Sequence, residues 1–374
     1  MVGGMTGPAA QGVRIEWAQI PAPVRAAIED VCGAAVVQAY TQPGGFSPGL
    51  AARVRCANGA RYFVKAVSAR ANPDTPGFHR QEAQVLVALE PMITSRQLPI
   101  PRLHGIVDRP PWIALVLQDI AGHQPQLPWR TTELQQVVAA LDQLADALTP
   151  APVPVPTVGE RLGAEFTGWR TLAASPGLDH LDPWSRTHLD QLAALEATWA
   201  DHAAGDTLLH ADIRADNILL TGQGAMVVDW PWACRGAAFT DLVLFAPSVV
   251  DQGGPQPAEL IASSRSGSAA SPHAVTALVC ALAGYLTASS LQPAPPGLPT
   301  IRAFQAAHAT IAREIGMPLE EAHALEGIGR SYLKDGSRRQ AAAHLRQALT
   351  IHQRIGSPDA QRVQEILRHH GLLP

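Results

Sequence analysis

Lysine is almost missing from this 374-residue chain, which places its positive charge on 26 arginines and only two lysines, Lys65 and Lys334. Asparagine is equally scarce, with three residues in the whole chain. Lysine carries a compact, strongly hydrated point charge, whereas arginine carries a planar fork of donors. Because nearly every cationic side chain of this chain is arginine, we expect Lys65 to make a specific contact.

Cysteines are few and far apart, and none forms a Cys-x-x-Cys pair: they are Cys32, Cys56, Cys234 and Cys280. This spacing argues against a disulfide framework and against a structural zinc site. Aromatic residues make up only 5% of the chain, which disfavours a stacking surface for single-stranded nucleic acid. A net charge of −4 and a pI of about 6.4 disfavour a phosphate-binding surface as well. We therefore expect no nucleic-acid partner.

Charged residues are scarce too, at 16% against about 25% in an average domain, while hydrophobic residues reach 47%. The chain can build large cores and has room for two to three domains of roughly 150 residues. Residues 274–291 are the best candidate for a membrane span, but they include threonine, serine and glycine and lack a flanking basic cluster. We interpret them as a buried helix. Residues 1–14 do not resemble a secretory signal, and we expect a cytoplasmic protein without membrane contact.

In the first third of the chain, apolar and polar residues alternate as in β-strands. Strands are predicted at 36–41, 50–56 and 61–67, the last two joined by the hairpin signal Asn58-Gly59, and again at 103–107 and 112–117. A helix is predicted at about 76–90. Further on, helical spacing predicts helices near 132–148, 183–203, 238–249, 273–290 and 299–315, with a short strand at 225–228.

A kinase-like motif occupies positions 210–217. His210 and Asp212 are followed by Asn217, and Asp229 stands 12 residues later, at the end of an apolar run. Phosphoryl transfer from ATP needs a carboxylate to accept the proton of the acceptor hydroxyl, oxygen ligands for Mg²⁺, and a cation for the transferring group. We assign the first role to Asp212, the second to Asn217 and Asp229, and the last to Arg214. A structural loop is the alternative, because Asp and Asn favour turns.

Residues upstream fit the same chemistry. Lys65 lies in a predicted strand after a hairpin, where a kinase lysine contacts the ATP phosphates, and Glu82 lies on the next helix as its partner. A glycine-rich turn after the first strand is the candidate phosphate cover, because glycines allow close approach of the backbone. In it we single out Gly44, Gly45, Ser47 and Gly49. A plain hairpin turn is the alternative.

The chain resembles the aminoglycoside phosphotransferase-like kinases over about residues 15–315. The matching residues are His210, Asp212, Asn217, Asp229-Trp230, Gly236 and Asp241. The resemblance implies an α+β, two-lobed protein-kinase-like fold, with an antiparallel β N-lobe (1–119), a mainly helical C-lobe with catalytic loop and acceptor site (120–312), and an α-helical repeat tail (313–374). It also implies ATP and Mg²⁺ as cofactors, and adenine contacts at Gln118, Asp119 and Ile120. Asp241 would buttress the catalytic loop, and His210 would orient it.

Two departures from the protein-kinase pattern restrict the class of acceptor. Pro231 stands where protein kinases have the glycine of Asp-Phe-Gly, and an Ala-Pro-Glu motif is missing, which disfavours a protein acceptor. Ala211 replaces the family's usual glycine between His210 and Asp212. The resemblance therefore favours a small hydroxylated acceptor, such as an aminoglycoside-type antibiotic, a macrolide, choline, homoserine or a sugar.

The middle of the chain, residues 151–305, carries a net charge of −7, which would favour a cationic acceptor. An ordinary acidic surface is the alternative. Five residues are candidates for the lining of an acceptor pocket, although each also fits an exposed surface: Glu160, Glu165, Asp179, Asp182 and Asp251.

The tail contains an internal repeat at a spacing of 40 residues, in which Thr310-Ile311 and Gly316-x-Pro318 recur as Thr350-Ile351 and Gly356-x-Pro358. In the tail, Leu325-x-x-Ile328-Gly329-x-x-Tyr332 followed by Ala341-x-x-x-Leu345-x-x-Ala348 resembles a tetratricopeptide repeat, a helical pair that either binds a protein partner, self-associates or docks on the kinase lobe. Helix breaks are predicted at 316–318, 335–337 and 356–358. The alternative to an active phosphotransferase is a nucleotide-binding scaffold that recruits a partner through residues 313–374.

Overall fold

The computed structural model describes residues 13–44, 49–179, 181–295, 298, 300–334, 336–354 and 359–372. The strands are β1 (Val36–Thr41), β2 (Leu50–Cys56), β3 (Arg61–Ser68), β4 (Leu103–Arg109), β5 (Trp112–Gln118), β6 (Thr207–Leu209), β7 (Ile218–Thr221), β8 (Gly224–Val227) and β9 (Cys234–Gly236). The first helices are α1 (Ala22–Cys32), α2 (Thr75–Arg96), α3 (Thr131–Ala147), α4 (Val158–Leu162), α5 (Gly168–Ala173), α6 (Pro183–Thr187), α7 (Leu189–Glu196) and α8 (Trp199–His202). The remaining helices are α9 (Thr240–Asp251), α10 (Pro257–Ala262), α11 (Arg265–Ser268), α12 (Pro272–Ser290), α13 (Ile301–Lys334), α14 (Arg338–Arg354) and α15 (Asp359–His369).

The N-terminal part is an antiparallel five-stranded sheet in the order β1-β2-β3-β5-β4, with α2 packed against it. Its β2–β3 hairpin turns at Gly59, which has a φ of 84°, and Asn58 accepts a hydrogen bond from the backbone of Ala60. The central strands are apolar on both faces, as in Val64 and Leu115, because α1 and α2 both cover the sheet. The predicted antiparallel N-lobe is confirmed.

The C-terminal part is mainly helical, as predicted, and two small hairpins support the kinase-like motif. β6 pairs with β9 and leads directly into position 210. β7 pairs with β8, so that position 217 precedes one arm of the hairpin and position 229 follows the other. The two ends of the motif are therefore held together by strand pairing.

The apolar helix α12 lies in the middle of the helical part. It is the one helix among the described residues that is long and apolar enough to cross a membrane, and 72% of its most apolar window is buried inside the protein. Its contacts are with α13, α5, α7 and α9. The burial fits the predicted core helix, since such helices are hydrophobic all round.

Two predicted helices have different bounds in the structure. The region 183–203 is divided into α6, α7 and α8, because Asp182 caps a short first helix and the backbone leaves helical geometry at His188. In the tail, α13 runs through the break predicted at 316–318. A proline removes one helical hydrogen bond without having to end the helix, and Pro91 and Pro247 lie inside α2 and α9 in the same way.

The tail is a stack of three helices. α13 ends at Lys334 and α14 begins at Arg338, which agrees with the break predicted at 335–337, whereas the break at 356–358 lies outside the described residues. A Cβ on Gly329 would come within 2.6 Å of Leu345, so the small residue lets α13 and α14 approach closely. The tail is helical, and its likeness to a tetratricopeptide repeat stays a prediction. The boundary proposed at 312/313 falls inside α13.

Candidate active site

The rare lysine lies in the middle of the sheet and joins three elements. Lys65 Nζ on β3 donates to both carboxylate oxygens of Glu82 on α2 at 2.8 Å, and to Asp229 Oδ1, just after β8, at 2.6 Å. Glu82 also accepts the backbone N–H of Trp230 at 3.4 Å. One ammonium group thus fixes the carboxylate at position 229 against the sheet.

The charges of this triad are maintained by one another. Burial acts to lower the pKa of Lys65, but Asp229 and Glu82 outweigh it and raise the pKa above its usual value. Burial acts to raise the pKa of Asp229, but the ammonium of Lys65 outweighs it and holds the pKa below its usual range. Lys65 and Asp229 therefore remain ionised, as binding of phosphate and of a metal ion requires.

The loop after β6 is held by two buried side chains. Both oxygens of Asp241 accept backbone N–H groups, from His210 at 2.8 Å and from Ala211 at 2.7 Å. His210 Nε2 lies 2.9 Å from the carbonyl of Val228, and Nδ1 accepts the N–H of Asp212 at 3.2 Å. Burial lowers the pKa of His210 to about 4, so the ring is neutral with its proton on Nε2. His210 and Asp241 therefore fix the loop before Asp212.

The loop also stores backbone strain. Ala211 has a φ of 61° and Asp229 a φ of 71°, in the left-handed region. For a residue with a Cβ this region costs roughly 1–2 kcal/mol, although aspartate tolerates it better than most. The structure therefore explains why a glycine is usual at position 211 in the related kinases.

Asp212 lies at the centre of a charged network. It is 3.0 Å from Nη1 of Arg214, which also binds Asp216 through two bonds of 3.0 Å, and it accepts Nδ2 of Asn217 at 3.2 Å. Burial raises the pKa of Asp212 to about 7, although Arg214 acts in the opposite direction. A carboxylate with a pKa near neutrality is suited to accept a proton. We call Lys65, Glu82, Asp212, Arg214, Asp216 and Asp229 the charged cluster.

Asn217 and Asp229 form a plausible pair of ligands for Mg²⁺. The amide nitrogen of Asn217 binds Asp212, at the carbonyl oxygen (2.8 Å) and the carboxylate, which leaves its oxygen for a cation. Asp229 uses Oδ1 for Lys65, and its side chain is 29% exposed. Mg²⁺ prefers hard oxygen ligands and commonly takes one or two carboxylates with substrate phosphates. The donor set fits this ion.

The glycine-rich turn is only partly described. Gly45 and Ser47 lie outside the described residues. Gly49 has a φ of 105°, and a Cβ there would come within 2.5 Å of the carbonyl of Ala66, so packing on β3 requires a glycine. The carbonyl of Gly44 accepts a hydrogen bond from Arg14. A role of these glycines at the phosphates stays a prediction.

The segment proposed to contact adenine is already partly occupied by internal bonds. The N–H of Gln118 donates to the carbonyl of Arg102 at 2.9 Å, and the carbonyl of Ile120 accepts from Gly122 at 2.9 Å and from Arg53. The Asp119 carboxylate pairs with Arg53 and with Arg61, each at 2.8 Å. Adenine contacts there would fall to the backbone of Asp119 and the N–H of Ile120, and remain a prediction.

A cavity of about 410 Å³ opens beside the charged cluster. We call it the acceptor cavity, and Asp212, Arg214 and Asp229 lie in its wall. Most other lining residues are apolar or aromatic, and include Phe78, Leu162, Phe166, Pro231, Trp232, Leu244, Pro247, Leu282, Tyr285, Leu286, Leu298, Ile301 and Phe304. Its volume falls within the range of roughly 300–1,000 Å³ typical of small-molecule sites.

Of the five acidic residues proposed for such a pocket, only Glu165 lines it. Glu160 and Asp182 instead accept backbone N–H groups at the starts of α4 and α6. Asp179 is exposed beside Arg186, at 3.6 Å. Asp251 is buried 4.0 Å from His308 and does not line the cavity. Most acidic residues of this part of the chain therefore lie outside the cavity.

Several residues of the site were not expected from the sequence. Trp232 lines the cavity from a loop, Tyr285 from α12, and Phe304 and His308 from one face of α13, without a shared motif. The sequence feature that could have indicated them is the scarcity of Phe, Trp and Tyr: the chain has 19 of these residues, and five of them line this cavity. Arg14 was also missed. It lies close enough to Asp229 and Asp216 for their charges to act on its pKa, which burial lowers overall.

Comparison with known proteins adds a family and a fold. The sequence profile of the phosphotransferase enzyme family matches residues 45–276. No curated protein sequence matches the chain.

Three solved structures illustrate the fold. A thermostable mutant of the aminoglycoside phosphotransferase APH(4)-Ia, in a ternary complex with AMP-PNP and hygromycin B, is 18% identical with a TM-score of 0.53. Choline kinase LicA from Streptococcus pneumoniae is 12% identical with a TM-score of 0.52; each match covers 78% of this chain and 98% of the other. Amicoumacin kinase hAmiN, in complex with AMP-PNP, Ca²⁺ and Ami, is 11% identical with a TM-score of 0.51, over 74% of this chain and 88% of its own. The kinase-like fold is thus common to enzymes with different acceptors.

Proposed function

Because the chain belongs to the phosphotransferase enzyme family, we propose that it transfers the γ-phosphoryl group of MgATP to a hydroxyl group of a small molecule. The proposal is carried by one observation. Lys65, Glu82 and Asp229 converge from distant parts of the chain and stand beside Asp212, at the wall of a cavity large enough for an acceptor.

Each residue of the site has a task in this reaction. Lys65 is a charged ammonium that would bind phosphate oxygens, and its bonds to Glu82 and Asp229 keep it extended toward the site. Asn217 and Asp229 would hold Mg²⁺, which neutralises charge on the phosphates when it is bound. Since little covalent chemistry is required of the protein, positioning and charge stabilisation are its main contributions.

Asp212 would orient the acceptor hydroxyl and accept its proton. The amide of Asn217 and the guanidinium of Arg214 fix the direction of its carboxylate from two sides. Arg214 also lies 5.9 Å from the ring centre of Phe304, so its position is set by the cavity wall as well. These contacts would place the carboxylate before the acceptor arrives, which reduces the reorganisation needed for transfer.

The acceptor is small in this proposal. Related structures contain hygromycin B or Ami, and another is a choline kinase, so the fold serves chemically different molecules. The 410 Å³ cavity would admit one such molecule or part of it. An aminoglycoside-type antibiotic is one acceptor class to test, beside choline, homoserine and macrolides.

The test is Mg²⁺-dependent release of ADP from ATP in the presence of each acceptor class, with Asp212→Asn as the critical variant. Loss of the base should lower kcat by about 10²–10⁴-fold while ATP still binds. Asp206→Asn is the matched control, because Asp206 is an exposed carboxylate paired with Arg235 and does not line the cavity. Equal kcat in Asp212→Asn and the unmodified protein would overturn the assigned base. Nucleotide binding without turnover on any acceptor would favour the scaffold alternative.

A further inference from the structure

The wall of the acceptor cavity is built for an apolar body. The aromatic rings form two pairs: Phe78 lies 5.2 Å from Trp232, and Phe166 lies 5.8 Å from Tyr285, measured between ring centres. Phe304 adds a fifth ring, stacked at 3.9 Å on His308. A molecule covered by hydroxyl and ammonium groups would lose its hydration against these faces without equivalent partners, which is costly.

The charges in the wall are mostly neutralised already. Asp229 is paired with Lys65, which also binds Glu82, and Asp212 is paired with Arg214, which also binds Asp216, so each of these carboxylates already has a cationic partner. Asp74 is exposed at its position before α2. Glu165 is the remaining carboxylate, and no ion pair involving it is formed among the described residues. The cavity therefore has one interior place for a cation.

Two polar atoms in the cavity residues are buried and unsatisfied. Among the described residues, Oε2 of Glu165 has no hydrogen-bond partner, and neither has Nε2 of the buried His308, which lies 4.0 Å from Oδ2 of Asp251. His308 donates Nδ1–H to the carbonyl of Phe304 at 2.9 Å, and burial lowers its pKa, so Nε2 carries a lone pair. Both atoms are acceptors. Buried acceptors without partners are rare in proteins and indicate a missing donor.

We propose that the acceptor is an amphiphilic alcohol with a single ammonium group. Its cation binds Glu165, its apolar body lies on the aromatic rings, and its hydroxyl faces Asp212. This inference rests on the proposed phosphotransferase function. Tyr285 lines the same cavity as Asp212 and Glu165, and the charges of both carboxylates act to raise the pKa of its hydroxyl, which burial has already raised. Aromatic faces also attract ammonium groups directly, so Phe166 and Tyr285 support the same position.

The proposal separates this cavity from one built for polycations. A ligand with several ammonium groups needs several unpaired carboxylates, because each buried charge without a partner is strongly unfavourable. Within the part of the chain that the structure describes, Glu165 is the one unpaired carboxylate inside the wall. Choline would satisfy the charge but leave the aromatic rings uncovered.

Binding to the protein loaded with Mg²⁺ and AMP-PNP provides a test that does not depend on turnover. Propranolol carries one naphthyl ring, one hydroxyl and one ammonium group, and N-acetylpropranolol keeps the ring and hydroxyl but loses the charge. We expect propranolol to bind at least about tenfold tighter than its N-acetyl form, the effect of one charge-assisted contact. Hygromycin B and choline should bind more weakly than propranolol.

Three variants test which side chains cause the tighter binding of propranolol than of its N-acetyl form. Glu165→Gln should abolish the tenfold difference between the two propranolol forms, whereas Glu160→Gln, which removes the same charge from an exposed capping position, should retain it. Trp232→Ala should weaken both forms by a similar factor. A thermal melt of each variant reports whether it is folded.

The outcomes are distinct. Equal binding of the two propranolol forms to the unmodified protein, no binding of propranolol, or tighter binding of hygromycin B overturns the proposal. Release of ADP is measured separately on the same protein preparations, with MgATP in place of AMP-PNP. A charge preference that depends on Glu165 without any turnover would refute the phosphotransferase but keep the ligand class. Turnover on hygromycin B alone would refute the ligand class but keep the phosphotransferase.

Discussion

The charged cluster and the acceptor cavity share one wall but satisfy their polar groups in opposite ways. In the charged cluster, Lys65 makes three bonds and Arg214 three, so every charge has its partner before any ligand arrives. In the acceptor cavity, Oε2 of Glu165 and Nε2 of His308 have no hydrogen-bond partner among the described residues, and Nε2 lies 4.0 Å from the carboxylate of Asp251. Under the proposed function, the protein itself would organise the charged cluster, whereas selection of the acceptor would leave bonds for the acceptor to complete.

The largest expected contrast concerns stability. Glu82→Leu should lower the free energy of unfolding by about 3 kcal/mol, because it removes one partner of a buried ion pair. His308→Leu should change it by less than about 1 kcal/mol, since burial lowers the pKa of His308 and the neutral ring forms no ion pair with the nearby Asp251. Urea denaturation of both variants measures the difference. Equal losses of unfolding free energy in the two variants would contradict the distinction between the charged cluster and the acceptor cavity.

The next effect is a pH dependence of catalysis. Burial raises the pKa of Asp212 to about 7, so the base is protonated at lower pH. We expect kcat/KM for MgATP to rise about tenfold per pH unit below 7 and to level off above it. Arg214→Gln should move the midpoint to higher pH, because the guanidinium holds the pKa of Asp212 down. A profile that is flat from pH 5.5 to 8 in the unmodified protein would exclude Asp212 as the titrating base.

The smallest effect tests the residue that joins the two regions. Ala211 lines the acceptor cavity, precedes Asp212 and has a φ of 61°. Ala211→Gly relieves a strain of roughly 1–2 kcal/mol, but glycine loses about 0.5–1 kcal/mol more chain entropy on folding. We therefore expect a stabilisation of about 1 kcal/mol or less in urea denaturation, with Ala237→Gly as the control at an unstrained position. A clear loss of stability would show that the left-handed backbone at Ala211 carries no strain.

The sheet and the motif could be predicted from the sequence because both rest on local patterns. Alternation and the Asn58-Gly59 turn determine the hairpin, and the spacing of Asp212, Asn217 and Asp229 follows from one loop and one β-hairpin. Lys65 was recognisable by its rarity. The structure brings these residues together as the resemblance implied, while their catalytic roles await the experiments above.

The acceptor cavity could not be predicted in the same way. Glu165, Trp232, Tyr285 and Phe304 come from four separate segments, and only their packing brings them into contact with one space. The net charge of the region suggested several acidic lining residues, but helix capping and surface pairing account for most of them. The helix predicted at 183–203 is interrupted at His188, where the backbone leaves helical geometry, and the break predicted at 316–318 was wrong because a proline can lie inside a helix.

The position of the cavity wall along the chain has a consequence for how such enzymes diversify. The matched family region ends at residue 276, whereas Leu282, Tyr285, Phe304 and His308 come after it. The stretch that carries the chemistry, positions 210–229, lies wholly within the match. Under the proposed function, substitutions at Leu282, Tyr285 or His308 would therefore alter which molecule is bound while positions 210–229 keep their sequence, whereas Phe304 also contacts Arg214 and would affect both.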